Sequence, residues 1–179
     1  MKRIGLVVLA IAVWLGLAAT ASAQDISIKA FQGTWGGSAV ANNRDSLYFG
    51  VTIRDLGVTV KPTATGFDIS WTTVIRRGGT PDKPKVRRKS VAMTFEAAGR
   101  KNVWKLKSSG DMLAGSPYGW ARIQGRTLTL YLMAIDSRGR YAISRYSRKL
   151  SGTGMDLEFT SIRDGEPARV VRGKLVRNR

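Results

Sequence analysis

The sequence predicts an all-β protein, folded as a single antiparallel up-and-down β-barrel of about 8–10 strands. Beyond residue 23, apolar and polar residues alternate with period two, and no stretch of useful length has the helical period. Short turn sequences separate the alternating runs, and no linker or change of composition divides them. Successive hairpins make an antiparallel sheet, and closing that sheet into a barrel removes its exposed edges.

The first predicted strand contains the stretch Phe31 to Gly37, which reads Phe-Gln-Gly-Thr-Trp-Gly-Gly. Glycine leaves room for a neighbouring backbone, and a large indole between glycines can plug the end of a barrel. Trp35 is therefore predicted to be structural.

The remaining strands are predicted from runs of alternation. A break at Asp55 is expected to divide the first run after Trp35, a loop is predicted from Gly78 to Pro84, and residues 108–117 read as irregular. The predicted runs are 47–54, 56–60, 67–76, 91–97, 104–107, 119–123, 127–135, 141–150, 155–159 and 169–177.

Three features resemble the lipocalin and wider calycin group of barrels. Gly33-Thr34-Trp35 resembles the opening of the first strand, and Asp136 followed by Tyr141-Ala142-Ile143 resembles a hairpin of that group. The group also places a late arginine over the first-strand indole, a part that Arg172 or Arg169 would play. Two strands follow the hairpin where a classical lipocalin has one strand and a helix. The resemblance implies binding of a small apolar or amphipathic ligand.

Residues 1–23 are predicted to be a secretory signal peptide, and residues 24–179 the barrel domain. Lys2 and Arg3 precede an apolar run, and Ala21-Ser22-Ala23 is a typical cleavage site before Gln24. An uncleaved membrane anchor is the alternative, because a run of about 18 apolar residues can just span a bilayer. Cleavage predicts a periplasmic or secreted protein.

The predicted mature chain is strongly basic and has no disulfides. It carries 28 basic and 12 acidic residues, a net charge of +16, and the sequence contains no cysteine. Such a charge favours anionic partners. Export makes lipopolysaccharide or an anionic membrane surface more plausible partners than nucleic acid.

The residue content argues against an enzyme. Without His or Cys, the chain has no His-based triad, no thiol nucleophile and no usual zinc site. The carboxylate pairs Asp156/Glu158 and Asp164/Glu166 are expected to face solvent or to lie in a turn. The sequence therefore predicts a non-enzymatic protein without cofactor or metal.

Candidate ligand contacts come from strand parity. The runs 119–123 and 141–150 each carry an aromatic residue and an arginine on one face. If those faces point inward, these side chains share the lumen, and a buried arginine needs an anionic partner. The alternatives are that both arginines lie on the outer face and that the aromatic residues fill a solid core. The predicted ligand-binding residues are Trp71, Trp120, Arg122, Tyr141 and Arg145.

A basic run flanks the predicted loop from Gly78 to Pro84. Near one rim of the barrel it would attract an anionic surface, and a merely solvated charged loop is the alternative. Its members are Arg76, Arg77, Lys83, Lys85, Arg87, Arg88 and Lys89.

Together these observations predict an exported binding protein for a small amphipathic ligand with an anionic group. The alternative is a filled-core envelope protein that binds lipopolysaccharide, polysaccharide or a protein through its basic patch. The sequence does not indicate an oligomeric state.

Overall fold

The computed structural model describes residues 24–43, 51–80 and 82–178. These residues form one short 3₁₀ helix and ten strands. The helix is Ile28–Phe31, and the strands are β1 Gly33–Asn43, β2 Val51–Pro62, β3 Gly66–Thr80, β4 Lys83–Ala97, β5 Val103–Leu106, β6 Tyr118–Gln124, β7 Thr127–Ile135, β8 Tyr141–Ser151, β9 Gly154–Arg163 and β10 Glu166–Arg177. The predicted signal peptide lies outside the described residues.

Every strand pairs antiparallel with its neighbours in sequence, and β1 also pairs with β10. The sheet is therefore a closed up-and-down barrel of ten strands, which confirms the predicted fold class. The Asp136 turn matches the predicted hairpin as well. Asp136 Oδ1 accepts hydrogen bonds from the backbone N–H groups of Arg138 and Arg140, so β7 ends and β8 begins on either side of it.

Two predicted interruptions are absent. β2 runs without a break through Asp55, and this continuity places Ile53 on the outer face with 69% of its surface exposed. β3 extends to Thr80 and β4 begins at Lys83, so the predicted loop is a long hairpin instead. A register shift between Arg76 and Gly79 absorbs the irregular sequence there.

Small residues allow the barrel to close between β1 and β10. A Cβ on Gly37 would lie 2.1 Å from the Lys174 carbonyl oxygen, and a Cβ on Gly173 would lie 2.5 Å from that of Ser38. No side chain fits at such distances, so this seam requires glycine on both strands. Gly37, two residues after Trp35, thus provides the close backbone approach that the sequence indicated.

Apolar side chains fill one end of the barrel, called here the closed end. Phe67 stacks on Phe95 with 5.1 Å between ring centroids, and its ring meets Trp104 edge-on at 5.3 Å. The 3₁₀ helix packs against this core through Phe31, which is fully buried. The opposite end, at the turns that connect β7 to β8 and β9 to β10, is called the open end.

Trp35 belongs to this core and is 4% exposed. Its indole Nε1 donates a hydrogen bond to the Phe31 carbonyl oxygen at 3.0 Å, which ties the 3₁₀ helix to β1. The Arg177 guanidinium lies 4.7 Å from the centre of the indole. Trp35 therefore joins the helix, the first strand and the last strand.

No helix among the residues described here has the length and apolar character needed to cross a membrane.

We expect Trp35→Ala to lower the free energy of unfolding by about 3–5 kcal/mol, because it removes a buried ring and leaves a cavity. Trp120→Ala is the matched control. Trp120 is only partly buried and stacks on Tyr131 outside the core cluster, so its loss should cost less than about 2 kcal/mol. Urea unfolding measures both values. Equal losses in the two variants would contradict the structural role of Trp35.

Candidate ligand-binding cavity

A cavity of about 330 Å³ opens at the open end of the barrel. Its apolar wall comes from the inward-facing positions of β2, β3 and β9, and includes Leu56, Val58, Trp71, Leu157 and Phe159. The filled-core alternative thus describes the closed end only.

Three aromatic rings in contact line this cavity. Trp71 lies 4.8 Å from Tyr146, and Tyr146 lies 4.7 Å from Phe159, measured between ring centroids. β3 and β8 stand on opposite sides of the ten-strand ring, so the contact between Trp71 and Tyr146 crosses the lumen. It separates the cavity from the packed closed end.

Arg148 is the most deeply buried charged group of the cavity wall, with 1% of its surface exposed. Its guanidinium carbon lies 5.1 Å from the Trp71 ring centre and 5.7 Å from that of Tyr146. Within the described residues, Nε and Nη1 of Arg148 have no hydrogen-bond partner. Two buried nitrogens, which together carry three N–H groups, are thus left without an acceptor beside the two aromatic rings, which is costly.

Burial lowers the pKa of Arg148 to about 10, and the coulombic effect of Tyr146 opposes this change. The guanidinium nevertheless remains charged at neutral pH. Burial also raises the pKa of Tyr146, while the positive charge of Arg148 lowers it, so the phenol remains neutral.

Four more basic residues line the cavity: Arg54, Arg87, Lys89 and Arg169. Arg54 is held on the wall, because its Nη2 donates to Asn43 Oδ1 at 2.9 Å. Arg87 and Lys89 are exposed. Among the lining residues that the structure describes there is no carboxylate, so every charged side chain of the cavity wall is basic.

Of the predicted ligand contacts, only Trp71 lies in the cavity wall. The predicted inward orientation of Trp120, Arg122, Tyr141 and Arg145 is wrong, and the alternative of outer-face arginines holds. On β6 the buried positions are Gly119, Ala121 and Ile123. On β8 the lumen side is the one that carries Tyr146 and Arg148.

Outer-face partners account for three of these side chains. Trp120 stacks on Tyr131 at 4.9 Å, and Arg122 donates to the side chain of Gln124. Arg145 forms a salt bridge with Glu158. Glu158 thus lies on the outer face, as the sequence predicted.

The predicted late arginine over Trp35 is also corrected. Arg172 pairs with Glu158 at 3.0 Å on the outer face, and Arg169 lines the cavity far from Trp35. The cation over the indole is Arg177, because the register of the seam sets Trp35 opposite Arg177.

The basic run does not form one surface. The side chains of Arg76, Arg77 and Lys83 lie outside the described part of the structure. Arg87 and Lys89 line the cavity, whereas Arg88, between them on β4, belongs to the outer face. Lys85 is exposed. Attraction of the run to an anionic surface stays a prediction.

Sequence reasoning missed Arg148. The available signal was strand parity: Tyr146, Arg148 and Leu150 alternate on one face of β8. The other face offers Tyr141, Ile143 and Arg145, which is equally aromatic, apolar and basic. Pattern alone therefore does not choose between the two faces.

Comparison with known proteins gives structural neighbours only. No protein-family model matches the chain, and no curated protein sequence does. The chain is similar to a protein of unknown function of the DUF3598 family from Nostoc punctiforme, with 15% identity and a TM-score of 0.56 over 90% of this chain. It spans 54% of that protein's length.

A second solved structure similar to this chain is the S-type phycobiliprotein lyase CPES from Guillardia theta. The two share 12% identity and a TM-score of 0.54, and the match covers 86% of this chain and 94% of the lyase. These likenesses support the calycin-like barrel.

The prediction that the protein is not an enzyme is contradicted by this second neighbour, because a barrel of the same fold is a lyase. The absence of His and Cys removed particular catalytic groups from consideration. That absence does not exclude catalysis by a barrel of this fold.

We expect Arg148→Met to leave the free energy of unfolding at pH 7 unchanged or to raise it by up to about 2 kcal/mol. The lowered pKa corresponds to about 3 kcal/mol against the charged form in the folded state, and the lost cation–π contacts offset part of this gain. The folded pKa lies below the ordinary value of arginine, so the cost is fully present at neutral pH and is lost as pH rises above about 10.

Urea unfolding of the two proteins at neutral pH measures this difference. Arg145→Met, on the outer face of the same strand, is the control and should change stability by less than about 1 kcal/mol. A loss of more than about 2 kcal/mol in Arg148→Met would show that the guanidinium holds the fold together.

Proposed function

We propose that the protein binds a small amphipathic molecule in the cavity at the open end, with the anionic group of the ligand at Arg148. The observation that carries the proposal is the buried, charged guanidinium, two of whose nitrogens find no hydrogen-bond acceptor among the described residues. A ligand carboxylate or phosphate supplies both the missing acceptors and the countercharge.

The energetics favour such a ligand. A charged group buried without a partner destabilises the folded protein, and a charge-assisted hydrogen bond to it contributes roughly 1.5–3 kcal/mol. Burial of the Arg148 charge destabilises the folded protein at this one site. An anion bound there offsets that loss of stability. A neutral ligand supplies no countercharge and gains less from the same group.

The apolar part of the ligand is assigned to the other side of the cavity. Leu56 and Val58 of β2, Trp71 of β3, and Leu157 and Phe159 of β9 supply apolar surface next to Arg148. A volume of about 330 Å³ lies at the small end of the usual range for ligand sites, roughly 300–1,000 Å³. The cavity therefore fits a compact ligand.

We further propose that binding takes place outside the cytoplasm, in the periplasm or after secretion. The support is the charged start, apolar run and Ala-Ser-Ala ending of residues 1–23. A lumen that binds anionic amphiphiles is consistent with a chain exported into a lipid-rich envelope.

Calorimetric titration with decanoate and with its neutral analogue decanol tests the ligand class. Arg148→Met should weaken decanoate binding about ten- to a hundredfold, because it removes a charge-assisted hydrogen bond, and should spare decanol. Arg145→Met makes the same change outside the barrel and should alter neither affinity.

Two results would contradict the proposal. One is the absence of decanoate binding by the wild-type protein. The other is an equal loss of affinity in Arg148→Met and Arg145→Met, which would trace the effect to total charge.

A further inference from the structure

We infer that the ligand carries an anionic group at each end: one bound by Arg148 at the base of the cavity and the other by Arg87 and Lys89 at its mouth. The inference rests on the proposed function and specifies its ligand class. An elongated dianion, such as a dicarboxylate, is the chemistry that this distribution of charge recognises.

The first step is the position of each cation between the base of the cavity and the open end. Arg148 lies beside the Trp71 ring, at the level where β3 faces Val91 of β4. Lys89 pairs with Thr73 and Arg87 with Ile75, respectively two and four residues further towards the open end. At about 3.3 Å per residue these positions lie roughly 7 and 13 Å from Trp71 along the strand. The cavity therefore has positive charge at its base, beside Trp71, and again nearer its mouth.

The second step is what lies between the two levels. Leu56 lines the wall of β2 opposite Thr73, and Thr73 is the one polar residue among the three inward positions of β3 from Trp71 to Ile75. An apolar spacer matches this stretch. A ligand that ended in a methyl group would place it among Arg87 and Lys89.

The third step is the difference in burial between the two ends. Arg148 is 1% exposed, whereas Arg87 and Lys89 are exposed. The inner anion is therefore bound in a desolvated site with strong electrostatics, and the outer anion at a hydrated rim. Such a site binds one end tightly and selects for length with the other.

Calorimetric titration of wild-type protein with octanoate and octanedioate tests the inference. The dianion should bind about tenfold more tightly than the monoanion, the effect of one additional charge-assisted contact. Across a series from hexanedioate to dodecanedioate, this preference should reach a maximum at one chain length, because the two cationic levels are fixed by the sheet.

A pair of double variants separates a bound second anion from general attraction to a basic protein. Arg87→Gln/Lys89→Gln should reduce the ratio of octanedioate to octanoate affinity to about one. Arg88→Gln/Lys105→Gln removes the same charge from exposed residues outside the cavity and should leave the ratio unchanged. Thermal unfolding of both variants checks that each is folded.

An equal fall of the ratio in both double variants, or tighter binding of octanoate than of octanedioate by wild type, would overturn the inference. Octanoate binding that responds to Arg148→Met would still uphold the proposed function in that case. Failure of wild type to bind either compound would instead reject the proposed function itself.

Discussion

Closure of the sheet between β1 and β10 is the constraint on which the rest of the structure depends. The seam runs from the pair Trp35–Arg177 to the pair Asn43–Arg169 and leaves neither strand with a free edge. It forms only because Gly37 and Gly173 let the two backbones approach. Once the sheet is closed, alternate residues of every strand must face the lumen. Whether a side chain lines the lumen or the outer surface then follows from its odd or even position in the strand.

The interior has two halves because the side chains differ along the barrel axis. Aromatic rings and the 3₁₀ helix fill the closed end, and the contact between Trp71 and Tyr146 ends the packed region. Beyond that contact the inward positions include basic as well as apolar residues, and the basic ones do not pack into an apolar core. Arg148 lies at this boundary. A buried cation with two nitrogens that find no acceptor among the described residues is the kind of local conflict expected at a functional site.

The fold was predictable from sequence, whereas the site was predictable only in part. The alternation in β3 identified Trp71 as inward, because apolar and polar residues there separate cleanly by face. The inward orientation predicted for Trp120 on β6 was wrong, because the large aromatic residues of this strand lie outside while Gly119 and Ala121 face inward. The Leu106 and Leu132 side chains occupy the space beside Gly119, with 2.8 Å from Leu132 Cδ2 to a Cβ placed there. Such compensation between strands is invisible in the alternation of one strand. On β8 both faces carry an aromatic and an arginine, so only the closed sheet distinguishes Arg148 from Arg145.

The Nε–H signal of Arg148 in a nitrogen–proton NMR spectrum tests the central claim most directly, since it reports on the group proposed to meet the ligand. The signal is assigned by its absence from Arg148→Met. On titration with decanoate it should shift markedly and saturate with the calorimetric affinity, and decanol should leave it nearly in place. An Arg148 signal unmoved at saturating decanoate, while other arginine signals shift, would place the anion elsewhere and contradict the account.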